Sequence, residues 1–148
     1  MDISSDYKDL FKILNRHKVK YLIVGAYAVI YYTEPRFTKD LDIWVEAEPK
    51  NANRLYAALK EFGAPLKDVS PEDFINKKMI YQIGVAPIRI DIIMGLSSLD
   101  FASAWKNRTR SEYGGISIKI LGKKELIKSK EKSKRLQDRL DVKNLKPK

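Results

Sequence analysis

Three aspartates stand where their carboxylates can act together. Asp40 and Asp42 flank Leu41 in the run Arg36-Phe37-Thr38-Lys39-Asp40-Leu41-Asp42-Ile43. If Leu41 opens a strand, both side chains leave the same face one pleat apart, close enough to bind one hard cation. Like charges at that separation repel, and a divalent metal between them keeps both ionised at neutral pH. Asp91, set between Ile90 and Ile92 on a second expected strand, is a third carboxylate that can aim at the same point. Three carboxylates without His or Cys nearby favour magnesium or manganese over zinc. Upstream, Val24-Gly25-Ala26 predicts a tight turn into a helix, where backbone N–H groups and the helix N-terminus can approach a phosphate. Such a cradle facing a metal suits phosphoryl or nucleotidyl transfer. Each part alone has a plainer reading: a polar strand edge for Asp-x-Asp, close packing for Gly-Ala, a solvated sheet residue for Asp91.

The elements that must position these groups follow from periodicity. Tyr7, Leu10, Phe11 and Leu14 fall at the spacing of one helix face, capped by Ser4 or Ser5 and ending near His17. Tyr21–Val24 reads as a buried strand and 26–32 as a small-residue helix, ended by Pro35. Leu41–Glu46 reads as a strand, and Lys50–Phe62 as a helix opened by Pro49 and stopped by Gly63. A short capped helix is expected at Ser70-Pro71-Glu72-Asp73. Strands Met79–Val85 and Ile88–Met94 are joined at Ala86-Pro87, with Arg89 and Asp91 on one face. Ser98 or Asp100 starts a helix through Trp105, Gly114-Gly115 turns the chain, and Ile116–Leu121 is a last strand. From Lys123 onward the chain reads as basic helix. Helices alternating with a mixed sheet predict an α/β (α+β) fold in one domain spanning 1–148: an N-terminal helix at 1–18, a core at 19–121 and a basic helical tail at 122–148.

Composition narrows the chemistry further. The 148 residues carry 29 Lys and Arg against 19 Asp and Glu, a formal charge of +10, and 44% are hydrophobic, enough for a core of ordinary size. The absence of Cys excludes disulfide scaffolds, zinc knuckles and thiol nucleophiles, and the lone His17 excludes His-rich metal centres. The longest apolar run, Tyr21–Tyr32, has 12 residues, short of the roughly 20 needed to cross a bilayer. Asp2, Asp6 and Asp9 stand where a secretory leader would be positive, so a cytoplasmic location is expected. Residues 119–148 hold 12 basic and 4 acidic side chains, or +8, leaving +2 for the rest. That stretch is either a solvated helix or a surface facing phosphate, whether in nucleic acid, nucleotide or membrane.

The order and spacing of these motifs resemble the nucleotidyltransferase superfamily that includes DNA polymerase beta and the small antibiotic nucleotidyltransferases. Val24-Gly25-Ala26 is followed by 13 residues and then Asp40-Leu41-Asp42, and Asp91 matches the family's late third carboxylate. Ala26 departs from the usual Ser or Gly, so only a backbone phosphate contact carries over. A nearer resemblance, from about Val19 to Leu145, is to short AbiEii-like toxin-type nucleotidyltransferases, through Arg36-x-Thr38-x-Asp40-x-Asp42 and the later Lys130, Arg135, Asp138 and Asp141-Val142. The resemblance implies a minimal nucleotidyltransferase fold with Asp40, Asp42 and Asp91 as metal ligands, Asp91 also serving as ligand or base for the acceptor. It implies that Lys130 reaches a triphosphate such as ATP, and that Asp138 orients Lys130 or Arg135. Arg36 meets phosphate or pairs with Glu34; Thr38 braces the carboxylate loop; Arg89 pairs with Asp91 or meets substrate. Tyr27, Tyr31, Tyr32, Phe37 and Trp44 are candidates for base stacking, with core packing the plainer role, and His17 has no catalytic one.

The leading expectation is therefore transfer of a nucleoside monophosphate from a nucleoside triphosphate to an acceptor hydroxyl, with Mg2+ or Mn2+. The resemblance implies the tRNA 3′ end, or other RNA, as acceptor in a toxin–antitoxin setting. A small hydroxylated antibiotic is the alternative acceptor. A non-catalytic binding partner or antitoxin is the alternative from another class. A cognate helical partner or a homodimer would complete the cleft; no membrane partner is expected.

Overall fold

The computed structural model describes residues 5–33, 40–85, 88–96, 99–131 and 135–146. Six strands form one mixed sheet in the order β3-β4-β2-β1-β6-β5. They are β1 (Tyr21–Val24), β2 (Asp40–Val45), β3 (Ile80–Val85), β4 (Ile88–Ile93), β5 (Thr109–Tyr113) and β6 (Ile116–Ile120). The helices are α1 (Ser5–Arg16), α2 (Gly25–Tyr32), α3 (Pro49–Phe62), α4 (Phe101–Lys106), α5 (Lys123–Glu131) and α6 (Leu136–Leu145). β1 is central and wholly buried, as its unbroken apolar run requires.

Register decides what the sheet can do. β1 runs antiparallel to β2, pairing Val24 with Asp42, and β2 runs parallel to β4, pairing Asp42 with Asp91 and Asp40 with Arg89. Alternation sends Leu41, Ile43, Ile90 and Ile92 into the core while Asp40, Asp42, Arg89 and Asp91 face the other way. α1 buries Tyr7, Leu10, Phe11 and Leu14, stacks Phe11 on Tyr21 at 6.1 Å, and packs on α3 and β6. α2 leans on β1 and β2 and meets α5 and α6. The basic C-terminal stretch thus folds onto the body, anchored by buried Leu126 and Leu145.

Most element ends match the sequence reading and show their causes. Glu48 caps α3 by accepting from the Lys50 and Asn51 N–H groups, and Gly63 ends it at φ 91°, a left-handed conformation that costs glycine little. Ser70 and Asp73 form a capping box on the 3-10 turn Pro71–Ile75. Asp100 caps α4 through the Ser103 N–H; Ser98, the other cap expected, lies outside the described residues. β5 is a strand the sequence did not announce. Its Thr-Arg-Ser-Glu-Tyr run buries only Tyr113, and it forms by antiparallel pairing with β6 across Gly114 and Gly115, both at positive φ.

One buried side chain ties the front of β1 to the end of β2. The Asn51 Oδ1 accepts from the Lys20 N–H at 2.8 Å, and its Nδ2 donates to the Lys20 and Glu46 carbonyls at 3.1 and 2.9 Å. Replacing a residue that is 1% exposed with Ala strands the Lys20 N–H and removes one of the two bonds made by each carbonyl, leaving them the Glu46 and Glu48 N–H groups. Asn51→Ala is expected to destabilise the fold by about 3 kcal/mol in urea titrations followed by circular dichroism; a change within about 0.5 kcal/mol would show that water replaces the amide without cost.

Candidate active site

The site begins with β2. Asp42 lies between two strands, beside Val24 on one and Asp91 on the other, and Gly25 opens α2 directly above it. Gly25 sits at φ 67°, and a Cβ there would overlap the Asp42 Oδ2 atom. Glycine is thus required twice: for its backbone angle and because the carboxylate occupies the space of a side chain. The sequence predicts that Gly25 admits a phosphate; what a side chain there would meet first is the Asp42 carboxylate.

Electrostatic strain concentrates on Asp42. Burial, then the charges of Asp91 and Asp40, push its carboxyl from 3.8 up to about 6, against the opposing pull of Arg89 and Lys130. The field reaches Tyr7 on α1, whose hydroxyl is pushed up to about 12, chiefly by burial and then by Tyr113, Asp40 and Asp42. Asp91 is held by Arg89 through two bonds, Nε to Oδ1 at 3.2 Å and Nη2 to Oδ2 at 3.1 Å. Of the two roles open to Arg89, the ion pair is the one seen.

The opposite wall comes from the basic C-terminal helices. Lys130 on α5 is 11% exposed, and its ammonium lies 2.8 Å from Asp138 Oδ1 and 3.1 Å from Asp141 Oδ2. Asp141 is fully buried and also accepts from the Gln137 amide at 2.8 Å. Arg135 stays 81% exposed, 4.0 Å from Asp138. A cleft of about 460 Å3 is walled by Gly25, Ala26, Asp40, Asp42, Arg89, Asp91, Lys130, Arg135, Asp138 and Asp141, among others. It gathers the three carboxylates, the Gly25-Ala26 turn and the Lys130, Arg135, Asp138 group in one place.

Other expected residues fall elsewhere. Arg36, Thr38 and Phe37 lie outside the described residues. Trp44 packs edge-on against Phe101 at 5.0 Å, away from the phosphate turn, and Tyr27 joins Tyr7 and Tyr113 in an aromatic cluster. His17 meets Glu61 at 3.0 Å. Asp141 enters the sequence pattern with no role of its own, yet it is the inner anchor of Lys130. Its signal is present, since residues three apart on a helix share a face and Asp138 and Asp141 have that spacing.

The donor set suits magnesium or manganese: all oxygen, in a place where burial and then mutual repulsion raise the pKa of Asp42. Among the described residues no three acidic side chains yet converge as a ready metal cage. Asp42 and Asp91 are nonetheless neighbours on paired strands, roughly 5 Å apart at the backbone, so side-chain rotation is enough to bring their oxygens onto one ion.

No family model matches the sequence, and no curated protein matches it. Solved structures do. The lincosamide antibiotic adenylyltransferase LnuA, in its lincomycin-bound crystal structure, is similar at TM-score 0.58 and 15% identity over 98% of both chains. A proposed nucleotidyltransferase from Thermotoga maritima, TM1012, reaches 0.62 at 17% identity over 96% of this chain and 93% of that one. The antibiotic-resistance factor ANT(2'')-Ia reaches 0.59 at 10% identity, covering 95% and 80%. The chain has the nucleotidyltransferase fold.

The strain on Asp42 has a measurable sign. A carboxyl raised from 3.8 to about 6 takes stability from the metal-free fold as pH rises through that interval, on the order of 3 kcal/mol once fully ionised. Without divalent metal, Asp42→Asn should therefore melt a few degrees above the wild type at pH 7.5, and the gain should vanish below pH 4. A gain independent of pH would assign it to packing instead.

Proposed function

We propose that this protein is a metal-dependent nucleotidyltransferase that moves a nucleoside monophosphate from a nucleoside triphosphate to an acceptor hydroxyl. The observation that supports it most is the setting of Asp42: in register with Asp91, in contact with the phosphate-type turn at Gly25, and across the cleft from Lys130. The N–H groups at the start of α2 donate to phosphate oxygens. Lys130, fixed by Asp138 and Asp141, sets a positive charge against the triphosphate, with Arg135 at the rim. Asp91 accepts the proton of the acceptor hydroxyl once the substrate draws Arg89 off it. The acceptor oxygen bonds to the α-phosphorus, the bond to the bridging oxygen of the β-phosphate breaks, and pyrophosphate leaves. Magnesium or manganese, held by Asp40, Asp42 and Asp91, supplies Lewis acidity and neutralises the triphosphate charge when bound.

The acceptor in this reading is an RNA hydroxyl, the tRNA 3′ end first, in the toxin role that the sequence resemblance implies. One observation favours a second reading with a small-molecule acceptor. A hollow of about 610 Å3 beside the cleft, sharing Leu96 with it, is lined by Trp44, Met94, Leu99 and Phe101 with Glu46 and Asp100 at its polar points. LnuA's structure holds lincomycin, a ligand of the size such hollows accept.

Incubation with each α-labelled triphosphate, magnesium, and either total tRNA or a lincosamide and aminoglycoside panel distinguishes the two. Labelled tRNA is the expected product. Asp42→Asn and Asp91→Asn should each lower turnover by on the order of 10^3-fold, the scale of several kcal/mol of transition-state stabilisation. Label on a drug alone would establish the second reading, and no label on anything with wild-type protein would remove both.

A further inference from the structure

Away from the cleft, three cations crowd one tryptophan. Arg108 stacks on the Trp105 ring at 4.1 Å, with the Lys119 and Lys20 ammonium groups at 5.2 and 5.8 Å from its centroid. Arg110 adds to the crowd from β5, in register with Lys119 on β6. Among the described residues the only carboxylate at ion-pair range is Glu46, 4.0 Å from Lys20; Arg108, Arg110 and Lys119 have none. Arg108 Nε is buried without a hydrogen-bond partner among them. The crowding shows in the charges themselves: Lys119 is pulled down by burial and then by Arg108 and Arg110, and Arg108 by burial and then Arg110. A fold that gathers like charges and leaves them uncompensated is completed by an anion.

The place of the cluster says which anion. Trp44, two residues beyond Asp42 and so on the same side of β2, meets Phe101 at 5.0 Å, and Phe101 stacks on Trp105 at 5.9 Å. The cations therefore lie on the carboxylate side of the sheet, at its other end. From Lys20 to Val24, the length of β1 spans about 13 Å, a distance that a short run of single strand covers. The cations are spread over a surface, with Arg110 exposed, which suits a chain of phosphates. Among the described residues the exposed large apolar side chains, Tyr31, Ile80, Leu136 and Leu140, belong to other elements, so none of them gives the charge a greasy anchor for a membrane.

We propose that Lys20, Arg108, Arg110 and Lys119 around Trp105 form a phosphodiester-binding site that holds a single-stranded nucleic-acid acceptor behind its reacting end. The acceptor role rests on the nucleotidyl-transfer reading; the binding does not.

A short fluorescein-labelled single-stranded RNA, titrated by anisotropy without nucleotide or metal, tests it. Arg110→Gln/Lys119→Gln should weaken binding about tenfold and reduce the slope of log Kd against log salt by about 0.7 for each phosphate that is no longer neutralised. Lys143→Gln/Lys146→Gln, which removes the same charge from exposed positions on and just after α6, should change affinity less than about twofold. Arg110→Gln alone gives half the slope change should the double variant melt early. Equal losses in both double variants would reduce the effect to net charge and overturn the site. Wild-type affinity in Arg110→Gln/Lys119→Gln would overturn it too, as would binding of phosphatidylserine vesicles without RNA. The two readings fail separately. Loss of RNA binding in these variants with no transfer by wild-type protein removes the catalysis and keeps the site; intact RNA binding in them with active transfer removes the site and keeps the catalysis.

Discussion

The arrangement turns on repulsion between carboxylates that the sheet holds side by side. Asp40, Asp42 and Asp91 share a face because β2 and β4 are parallel neighbours in register, and Gly25 closes over the Asp42 carboxylate. Much of the surrounding structure answers that repulsion. Arg89 grips Asp91 with two hydrogen bonds, and Lys130 is drawn into the cleft wall although lysine ordinarily stays in water. Burial first, and then the repulsion that remains uncompensated, raise the pKa of Asp42.

Lys130 is itself stabilised by acids. Asp141 is fully buried, Asp138 nearly so, and both reach the same ammonium. A buried charge left alone costs several kcal/mol, so α5 and α6 must pack against each other for Lys130 to remain where its field touches Asp42. The basic C-terminal stretch is thus divided by environment. Lys130 is locked into the cleft, Arg135 waits at the rim, and Lys143 and Lys146 stay in solvent. A second group of cations, around Trp105, is built by the sheet edge and α4.

Much of this was legible because it is local. Alternation along residues 40–45 and 88–93 told which side chains share a face, and the turn chemistry of Gly25, Gly63 and Ser70 placed element ends. The register of Asp42 against Asp91 was not legible, because two strands far apart in sequence find their pairing through the whole core. β5 escaped because an edge strand with one buried residue carries no apolar alternation. Burial of Lys130 was hidden in a Lys-rich run, where only its partners on another helix single it out. Trp44 was near the carboxylates in sequence, but Phe101 claimed its ring.

A divalent cation bound between these carboxylates would relieve the repulsion around Asp42. Calorimetric titration of Mn2+ at pH 6 in two buffers of different ionisation enthalpy reads it directly, since metal binding to a partly protonated ligand releases protons. Such relief requires proton release at pH 6 that disappears at pH 8 and in Asp42→Asn. Mn2+ binding with no proton release at pH 6, or no binding at either pH, would contradict it.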